Sequence, residues 1–256
     1  MLSAMATLNV LPLALTAYGH FTTMRVDADG RVRGLSLHME RLVRDSRTVF
    51  GTGVDTDRVR VLVRQALEDR EAPCTVRVTH FDPGIELAHP EDATRPQILV
   101  TVRPAGALPP PPLTVMSVRY ERDLPQVKHC GLFGALHTRR TARLQGFDDA
   151  LFLGPDDHVS EGGTWNVGFI DDHGTVIWPE GPVLPGVTTA LLQQRTEHEV
   201  APVTLTDAKS MRAVFATNTS IGVRAISAID DTPMAIEHPA LERLRETYLA
   251  VPGEEL

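Results

Sequence analysis

The stretch "RDLPQVKHCGLFGALHTRRTARLQGFDDALF", residues 122–152, contains Lys128, one of two lysines in a chain that carries 25 lysines and arginines together. An arginine stays protonated and cannot form an imine, whereas a desolvated lysine can lose its proton and attack a carbonyl. The other lysine, Lys209, lies among polar residues in "TDAKSMRAVF" and is expected at the surface. Lys128 is therefore either an ordinary surface lysine or a nucleophile, and other parts of the sequence decide between these readings.

The composition excludes several classes of protein. A length of 256 residues with 42% hydrophobic and 23% charged residues predicts a globular protein of one large domain or two ordinary ones. The net charge of -8 and the scattered arginines argue against a nucleic-acid partner. Two cysteines and no zinc-type spacing predict neither a disulfide framework nor a metal site, and favour the cytoplasm. No apolar stretch approaches the roughly 20 residues that span a bilayer, so we expect no membrane partner.

The N-terminal half shows the patterns of a mixed α+β domain. The apolar opening "MLSAMATLNVLPLALTAYGHF" has no basic residue before Arg25 and contains Pro12, which favours a buried strand over a signal peptide. A turn at Asp29-Gly30 and a helix near Ser36 follow. The segment "DTDRVRVLVRQALEDR", residues 55–70, has helical spacing behind an Asp55 cap. The runs "CTVRVTHF", "QILVTVR" and "LTVMSVRY" are rich in β-forming residues and predict strands.

Four consecutive prolines at positions 109–112 mark the predicted domain boundary. Proline lacks the amide donor that helices and sheet ladders need, so this segment is expected to be a stiff connection. We therefore predict an N-terminal domain at 1–104, a linker at 105–112 and a C-terminal domain at 113–256. The second domain is predicted to contain a helix ending at Gly146, a strand "DALFLG", a hairpin within 159–178 and a helix after "LPGVTT".

The common phosphate, zinc and serine-hydrolase motifs are absent from the sequence, since no GxGxxG, Walker, HExxH or GxSxG pattern occurs. Other short stretches draw attention besides the lysine segment: "HMERL" (38–42), "VSEGGTWNVGF" (159–169), "LPGVTT" (184–189) and "ATNTSIG" (216–222). Each alone has an ordinary explanation, such as an exposed helix arginine, a solvated hairpin carboxylate or a plain helix start. Their combination and order are more specific than any one of them.

Together these stretches resemble the class IV, or fold-type IV, pyridoxal-phosphate (PLP) enzymes. That family includes branched-chain and D-amino-acid aminotransferases and 4-amino-4-deoxychorismate lyase. The resemblance runs from "YGHFTTMRV" to "AISAID" and is strongest between Lys128 and Thr188. It implies a two-domain α+β fold similar to D-amino-acid aminotransferase, with a smaller N-terminal α/β domain and a larger C-terminal β-barrel-like domain with helices. It also implies PLP as cofactor and a homodimer.

The resemblance assigns roles to individual residues. Lys128 matches the imine-forming lysine, and Glu161 matches the glutamate beside the pyridine nitrogen, with Asn166 in the same turn. Arg41, Thr188 and Thr219 match residues that hold the cofactor phosphate, partly through the amides that open a helix. The positions implied to bind the cofactor are Lys128, Glu161, Arg41, Val187, Thr188, Asn218 and Thr219.

The sequence also departs from the family pattern. Phe133 stands where branched-chain enzymes have a tyrosine that contacts the cofactor phenolate, and Thr189 replaces the usual arginine after the phosphate threonine. His80-Phe81 occupies the place where many relatives carry an arginine and a glycine that help to hold a substrate carboxylate. The candidates for substrate binding are Arg77, His80, Arg122 and Trp165, each equally compatible with a structural role.

Three functional hypotheses follow from the resemblance. The main one is an aminotransferase that moves an amino group between an amine or amino acid and a keto acid, with Lys128 as acid and base at the substrate α carbon. The alternative is a lyase of the 4-amino-4-deoxychorismate type that releases pyruvate, which "GHFTTMRV" and the pair Lys128-His129 favour. The third is a family member that binds the cofactor without turnover. All three involve small molecules, and none requires a metal.

Overall fold

A computed structural model of the protein describes residues 9–256. The α-helices are α1 Leu11–Thr16, α2 Leu35–Phe50, α3 Thr56–Leu67, α4 Phe133–Leu144, α5 Val187–Gln193, α6 Leu205–Ser210 and α7 Pro239–Leu249. The strands are β1 His20–Val26, β2 Val32–Arg33, β3 Cys74–Phe81, β4 Gln97–Pro104, β5 Leu113–Arg119, β6 Asp149–Leu153, β7 Val159–Gly162, β8 Asn166–Ile170, β9 Val176–Pro179, β10 His198–Ala201, β11 Ala213–Asn218, β12 Gly222–Ile229, β13 Thr232–Pro233 and β14 Gly253–Glu254.

The chain divides by its contacts into two compact units. The first comprises the residues up to Ala105 together with Val127–Leu132 and Gly253–Leu256, and the second comprises Gly106–Gln126 and Phe133–Pro252. The short segment that contains Lys128 thus belongs to the first unit, although it follows the proline-rich segment in the sequence. Sequence order alone gives no sign of this return, because it depends on pairing with a distant strand.

The first unit is built on a five-stranded sheet in the order β14-β2-β1-β3-β4. Strands β1, β3 and β4 pair antiparallel along their whole length, with His20 opposite His80 and Val76 opposite Val102. Apolar side chains of β1, β3, α2 and α3 form the core of this unit: Met24, Leu35, Leu42, Val59, Val63 and Val76. Asp55 caps α3 as predicted, because its Oδ1 accepts from the amides of Asp57 and Arg58 at 3.1 and 3.0 Å.

The second unit contains a nine-stranded sheet that closes on itself. Its strands follow the order β10-β9-β8-β11-β12-β5-β6-β7, with β13 beside β12, and β7 also pairs with β8. That last pairing joins β8, β11, β12, β5, β6 and β7 into a ring, which removes two open sheet edges. The ring encloses an apolar core that includes Val115, Leu151, Val167, Phe169, Val214 and Ile226.

The structure confirms the predicted α+β class and the barrel-like C-terminal part, and the N-terminal expectation is wrong. Leu11–Thr16 forms a helix with no buried residue, in which Leu15 is 72% exposed, and the first strand begins only at His20. Proline in a first helical turn costs no hydrogen bond, so Pro12 suits this helix. The part of the predicted strand before residue 9 lies outside the described residues. Within the described chain, no helix has the length and apolarity to cross a bilayer.

Substitution of Gly168 tests the packing inside the ring. A methyl group at this position of β8 would overlap the fully buried ring of Phe215 on the neighbouring strand. We expect Gly168→Ala to lower the free energy of unfolding by about 1–3 kcal/mol, the usual effect of overpacking a core. Urea unfolding followed by circular dichroism measures the change. The control is Gly106→Ala, where a methyl group meets no atom within 4 Å; equal losses in both variants would contradict the packing.

Candidate functional site

The backbone around Lys128 is held by three hydrogen bonds in the first unit, two of them made by Lys128 itself. Its amide donates to Asp45 Oδ2 at 3.0 Å, and its carbonyl accepts from the Phe21 amide at 2.9 Å. Two residues later the Cys130 amide donates to the Gly19 carbonyl at 2.8 Å. The segment therefore runs beside β1 as a short extended piece, and Asp45, which is fully buried, anchors it to α2.

The side chain of Lys128 lies near an aromatic ring that a second cation also contacts. Its Nζ is 5.0 Å from the centroid of the Phe21 ring, and Arg77 Cζ is 3.6 Å from the same centroid. A guanidinium nitrogen of Arg77 is 3.8 Å from Cys130 Sγ. Burial raises the pKa of the Cys130 thiol, and the nearby Arg77 charge opposes that rise. Of the candidate substrate residues, Arg77 is therefore the one whose guanidinium shares the Phe21 ring with Lys128.

Arg41 lies on the buried face of α2 and is 4% exposed. Burial lowers the pKa of its guanidinium to about 10, and the Asp45 carboxylate one turn later opposes this shift. Arg41 is therefore still a cation at neutral pH. Asp45 therefore contacts both residues of this unit that the family resemblance assigns to the cofactor. It binds the Lys128 backbone amide and stabilises the charge of Arg41.

His80 lies in a different, buried cluster of the first unit. Its Nδ1 is 3.2 Å from His20 Nε2 and 3.2 Å from Ser46 Oγ, and its ring meets the Phe50 ring edge-on. The cavity of about 660 Å³ that His80 helps to line includes neither Lys128 nor Arg41 among its lining residues. His80 thus has structural contacts that sequence reasoning did not anticipate.

The His20 and His80 pair makes a prediction about acid stability. Burial lowers the pKa of His20 to about 3 and that of His80 to about 4, well below the ordinary 6.5. Protonation therefore favours the unfolded chain, and the free energy of unfolding should fall as the pH drops from about 6.5 to about 4. In His80→Gln, the loss of unfolding free energy over this pH range should be smaller by on the order of 3 kcal/mol.

Urea unfolding at a series of pH values measures this slope. The matched control is His89→Gln, because the His89 side chain is 64% exposed and belongs to the same unit. The control should keep the slope of the original protein. A slope unchanged in His80→Gln would contradict the role of the buried pair.

Glu161 forms a buried ion pair in the second unit. Its Oε1 accepts from Arg122 Nε at 2.7 Å, and its Oε2 accepts from the Leu184 amide at 3.2 Å. Only 8% of the Arg122 side chain and 6% of the Glu161 side chain are exposed, and Arg122 also donates to the Pro125 carbonyl. The sequence named Arg122 as a candidate for substrate binding. In the structure its guanidinium instead binds the Glu161 carboxylate.

Asn166 and Thr188 lie around the segment that begins at Leu184. Asn166 Nδ2 donates to the Leu184 carbonyl at 2.8 Å, and a methyl group on Gly186 would overlap the Asn166 side chain, so glycine is required there. Thr188, in the first turn of α5, is 2% exposed, and within the described chain its Oγ1 has no hydrogen-bond partner. Val187 is also buried. A buried hydroxyl without a partner is costly unless a ligand supplies one.

Asn218 organises the turn that carries Thr219. Its Oδ1 accepts from the amides of Ser220 and Ile221 at 2.8 and 3.0 Å, and its Nδ2 donates to the Thr164 carbonyl at 3.1 Å. The Asn218 side chain is thus engaged by the protein, while Thr219 is partly exposed. Thr189, which replaces the family's arginine, has its hydroxyl 3.2 Å from that of Thr217.

Trp165 is buried, and the residue that binds it was missed by sequence reasoning. It is 5% exposed, and its Nε1 donates to Asp149 Oδ2 at 2.8 Å. Asp149 also receives a bidentate pair from Arg139, at 2.9 and 2.7 Å. The one sequence signal for Asp149 is an acid at the start of the buried strand "DALFL", where an unpaired charge would be costly. Asp45 had no comparable signal within the polar stretch of α2.

A double-mutant cycle tests the ion pair of Arg122 and Glu161. We expect Arg122→Met to lower the free energy of unfolding by about 3–5 kcal/mol, because it leaves a buried carboxylate without its cation. Adding Glu161→Gln should recover part of that loss, since the uncompensated charge disappears. Chemical denaturation of the single and double variants measures both effects.

The control for this cycle is Arg212→Met, because the pair of Arg212 and Asp172 is exposed, with side chains at 64% and 65%. This variant should change stability by less than about 1 kcal/mol. Strictly additive losses in the Arg122 and Glu161 variants would contradict a direct interaction between the two side chains.

Comparisons with known proteins agree with this fold. The family model for amino-transferase class IV matches residues 19–229. Among solved structures, a Legionella pneumophila protein provisionally assigned as 4-amino-4-deoxychorismate lyase is 23% identical, covering 91% of this chain and 90% of that chain with a TM-score of 0.79. A branched-chain aminotransferase from Thermoproteus uzoniensis, solved with norvaline, is 21% identical over 96% and 89% of the chains, with a TM-score of 0.82.

A hypothetical aminotransferase from Mycobacterium tuberculosis, solved in a PLP-bound form, is 18% identical over 93% and 90% of the chains, with a TM-score of 0.80. The search of curated protein sequences found no significant match. Identities at this level establish the fold alone, whereas the family model covers most of the chain. The protein therefore belongs to the class IV aminotransferase family of PLP-dependent aminotransferases and lyases.

Proposed function

We propose that the protein is a PLP-dependent aminotransferase in which Lys128 binds the cofactor covalently. The observation that carries the proposal is the set of contacts that hold Lys128 in the first unit. Three hydrogen bonds of the backbone fix its segment, and its Nζ lies 5.0 Å from the centroid of the Phe21 ring, which Arg77 also contacts. Lys128 is one of two lysines in the chain, and a fully buried aspartate binds its backbone amide. We take this as support for a functional role of the Lys128 amine.

Each unit contains groups whose chemistry suits PLP. A phosphate needs cationic and hydroxyl donors: the first unit offers Arg41, which is buried and cationic, and the second offers the buried Thr188 hydroxyl, which has no partner within the described residues. Thr219 is a further hydroxyl donor in the turn that Asn218 organises. Glu161 offers a buried carboxylate for the pyridine nitrogen, already oriented by Arg122.

The chemistry divides between the cofactor and the chain. Bound PLP supplies an electron sink that stabilises negative charge at the substrate α carbon. Lys128 Nζ removes the α proton and returns it, because an amine is a competent base once it is deprotonated. Arg77 binds the substrate carboxylate, since its guanidinium lies on the same ring as Lys128 and matches a carboxylate in shape and charge. Glu161, oriented by Arg122 and the Leu184 amide, would supply the carboxylate for the pyridine nitrogen.

The lyase reading differs only in the fate of the substrate. An aminotransferase releases a keto acid and then needs a second keto acid to take up the amino group, whereas a lyase expels a leaving group and releases pyruvate. The observation favouring a lyase is the sequence of β1, "HFTTMRV", together with His129 beside Lys128. Formation of pyruvate without a keto-acid acceptor would select the lyase.

We also propose that the protein acts as a homodimer. Support comes from α4, which exposes three large apolar side chains in the isolated chain: Phe133 at 84%, Leu136 at 52% and Leu144 at 69%. Apolar groups of this size are stabilised when a partner surface covers them. Sedimentation of an active monomer would contradict the dimer.

The first test of the cofactor is covalent labelling. Purified protein incubated with PLP should gain a visible absorption band, and borohydride reduction followed by peptide mapping should find the label on Lys128. Lys128→Arg should lose the band and at least about 10²-fold in transaminase activity, because it cannot serve as the acid and base.

Lys209→Arg is the matched control, since Lys209 is bound to Asp230 at 3.0 Å in the second unit. It should retain the band, the label and the activity. A label on Lys209, or no band with the unaltered protein, would overturn the proposal. A band without turnover of any amine or amino acid would favour the non-catalytic family member.

A further inference from the structure

The turn between β7 and β8 carries Glu161 at its start and Asn166 at its end. These two residues are opposite each other in the sheet, and the Gly162 amide donates to the Trp165 carbonyl at 2.9 Å. Gly162 and Gly163 lie directly after Glu161, and glycine has more backbone freedom than any other residue. The backbone that directly follows Glu161 therefore needs contacts outside the glycines to restrain it.

The indole of Trp165 folds back over this turn. Its ring covers Gly162 so closely that a methyl group there would overlap it, and a methyl group on Gly163 would approach Asp149 Oδ1 to 2.9 Å. Trp165 is 5% exposed, so it offers almost no surface to a substrate. The indole thus occupies the space in which the glycines next to Glu161 could otherwise move.

Asp149 anchors the indole to the rest of the second unit. Its Oδ2 accepts from Trp165 Nε1 at 2.8 Å and from Arg139 at 2.7 Å, and its Oδ1 accepts from Arg139 Nε and the Ala150 amide. The same guanidinium donates to Thr164 Oγ1 in the turn at 2.8 Å. The turn is therefore tied at two neighbouring residues to one buried carboxylate and its arginine, which extend from β6 and α4.

We infer that Trp165, held by Asp149 and Arg139, is a positioning residue for Glu161, and this inference rests on the proposed PLP-dependent function. It gives Trp165 a role other than the substrate contact expected from the sequence. The Glu161 carboxylate has a fixed partner at one end, Arg122, and the indole restrains the backbone at the other. A carboxylate that must meet one ring nitrogen benefits from this restraint, because small displacements weaken a charged hydrogen bond.

Trp165→Phe tests the inference, because phenylalanine keeps an aromatic ring over Gly162 and removes the donor to Asp149. The matched control is Trp178→Phe at the chain's other tryptophan. Trp178 is 3% exposed in the same unit, stacks edge-on against Phe215, and within the described chain its Nε1 has no hydrogen-bond partner. Both variants lose the same atoms from a buried ring, and only the first loses a hydrogen bond that holds the turn.

Two readouts separate positioning from general stability. The first is amide hydrogen exchange of residues 160–166 without added cofactor, which should be faster in Trp165→Phe and unchanged in Trp178→Phe. The second is PLP titration followed by its visible band across pH. Trp165→Phe should bind PLP on the order of tenfold more weakly and shift the midpoint of the band's pH titration. Asp149→Asn should change both readouts in the same direction.

The outcomes distinguish the two proposals. No PLP binding by the unaltered protein would overturn the proposed function. Normal binding by that protein, with unchanged exchange and an unchanged pH titration in Trp165→Phe, would overturn the positioning role alone. Equal changes in Trp165→Phe and Trp178→Phe would also overturn it, because they would reflect a loss of packing in the second unit.

Discussion

The pairing of β7 with β8 is the constraint on which the second unit depends. It closes six strands into a ring, and one of the two residues that form it, Glu161, is also the candidate for the pyridine nitrogen that the sequence resemblance predicts; the other is Asn166. A strand pair inside a closed ring cannot shift its register without disturbing the neighbouring strands. The backbone at Glu161 is thus held by the pairing that completes the ring, and Arg122 and the Leu184 amide bind its two carboxylate oxygens.

In the first unit, the segment that carries Lys128 is held in place by contacts of a different kind. Lys128 lies on an irregular segment, and irregular segments have no ladder of hydrogen bonds of their own. Here the missing partners come from β1 and from Asp45, a carboxylate buried completely on α2. Because Asp45 also stabilises the charge of Arg41, one acidic side chain contacts both the backbone amide of Lys128 and the buried guanidinium. Each unit therefore holds its candidate reactive residue, Lys128 or Glu161, with buried charged groups and with backbone bonds to a strand.

The sequence named candidate residues but not their contacts. The resemblance to the class IV family assigned roles to the lysine, the glutamate and the residues expected at the phosphate, and those roles remain predictions. Arg122, His80 and Trp165 were named as equally good candidates for binding substrate, and their contacts were not foreseen. In the structure Arg122 binds Glu161, His80 binds His20 and Ser46, and Trp165 binds Asp149. Partners of this kind are 16 to 60 residues apart in sequence, so no local pattern reports them.

The sequence by itself determined most of the helices and strands, because these follow from local propensities and from the period of apolar residues. Its resemblance to the class IV family supplied the barrel-like second part and the short set of candidate reactive side chains. Tertiary structure alone decided that the Lys128 segment joins the first unit, that residues 11–16 form an exposed helix and that Asp45 and Asp149 carry the networks around the reactive groups. The reason is physical: a buried charge is stable only beside its partners, and those partners are brought together by strand pairing between distant parts of the chain.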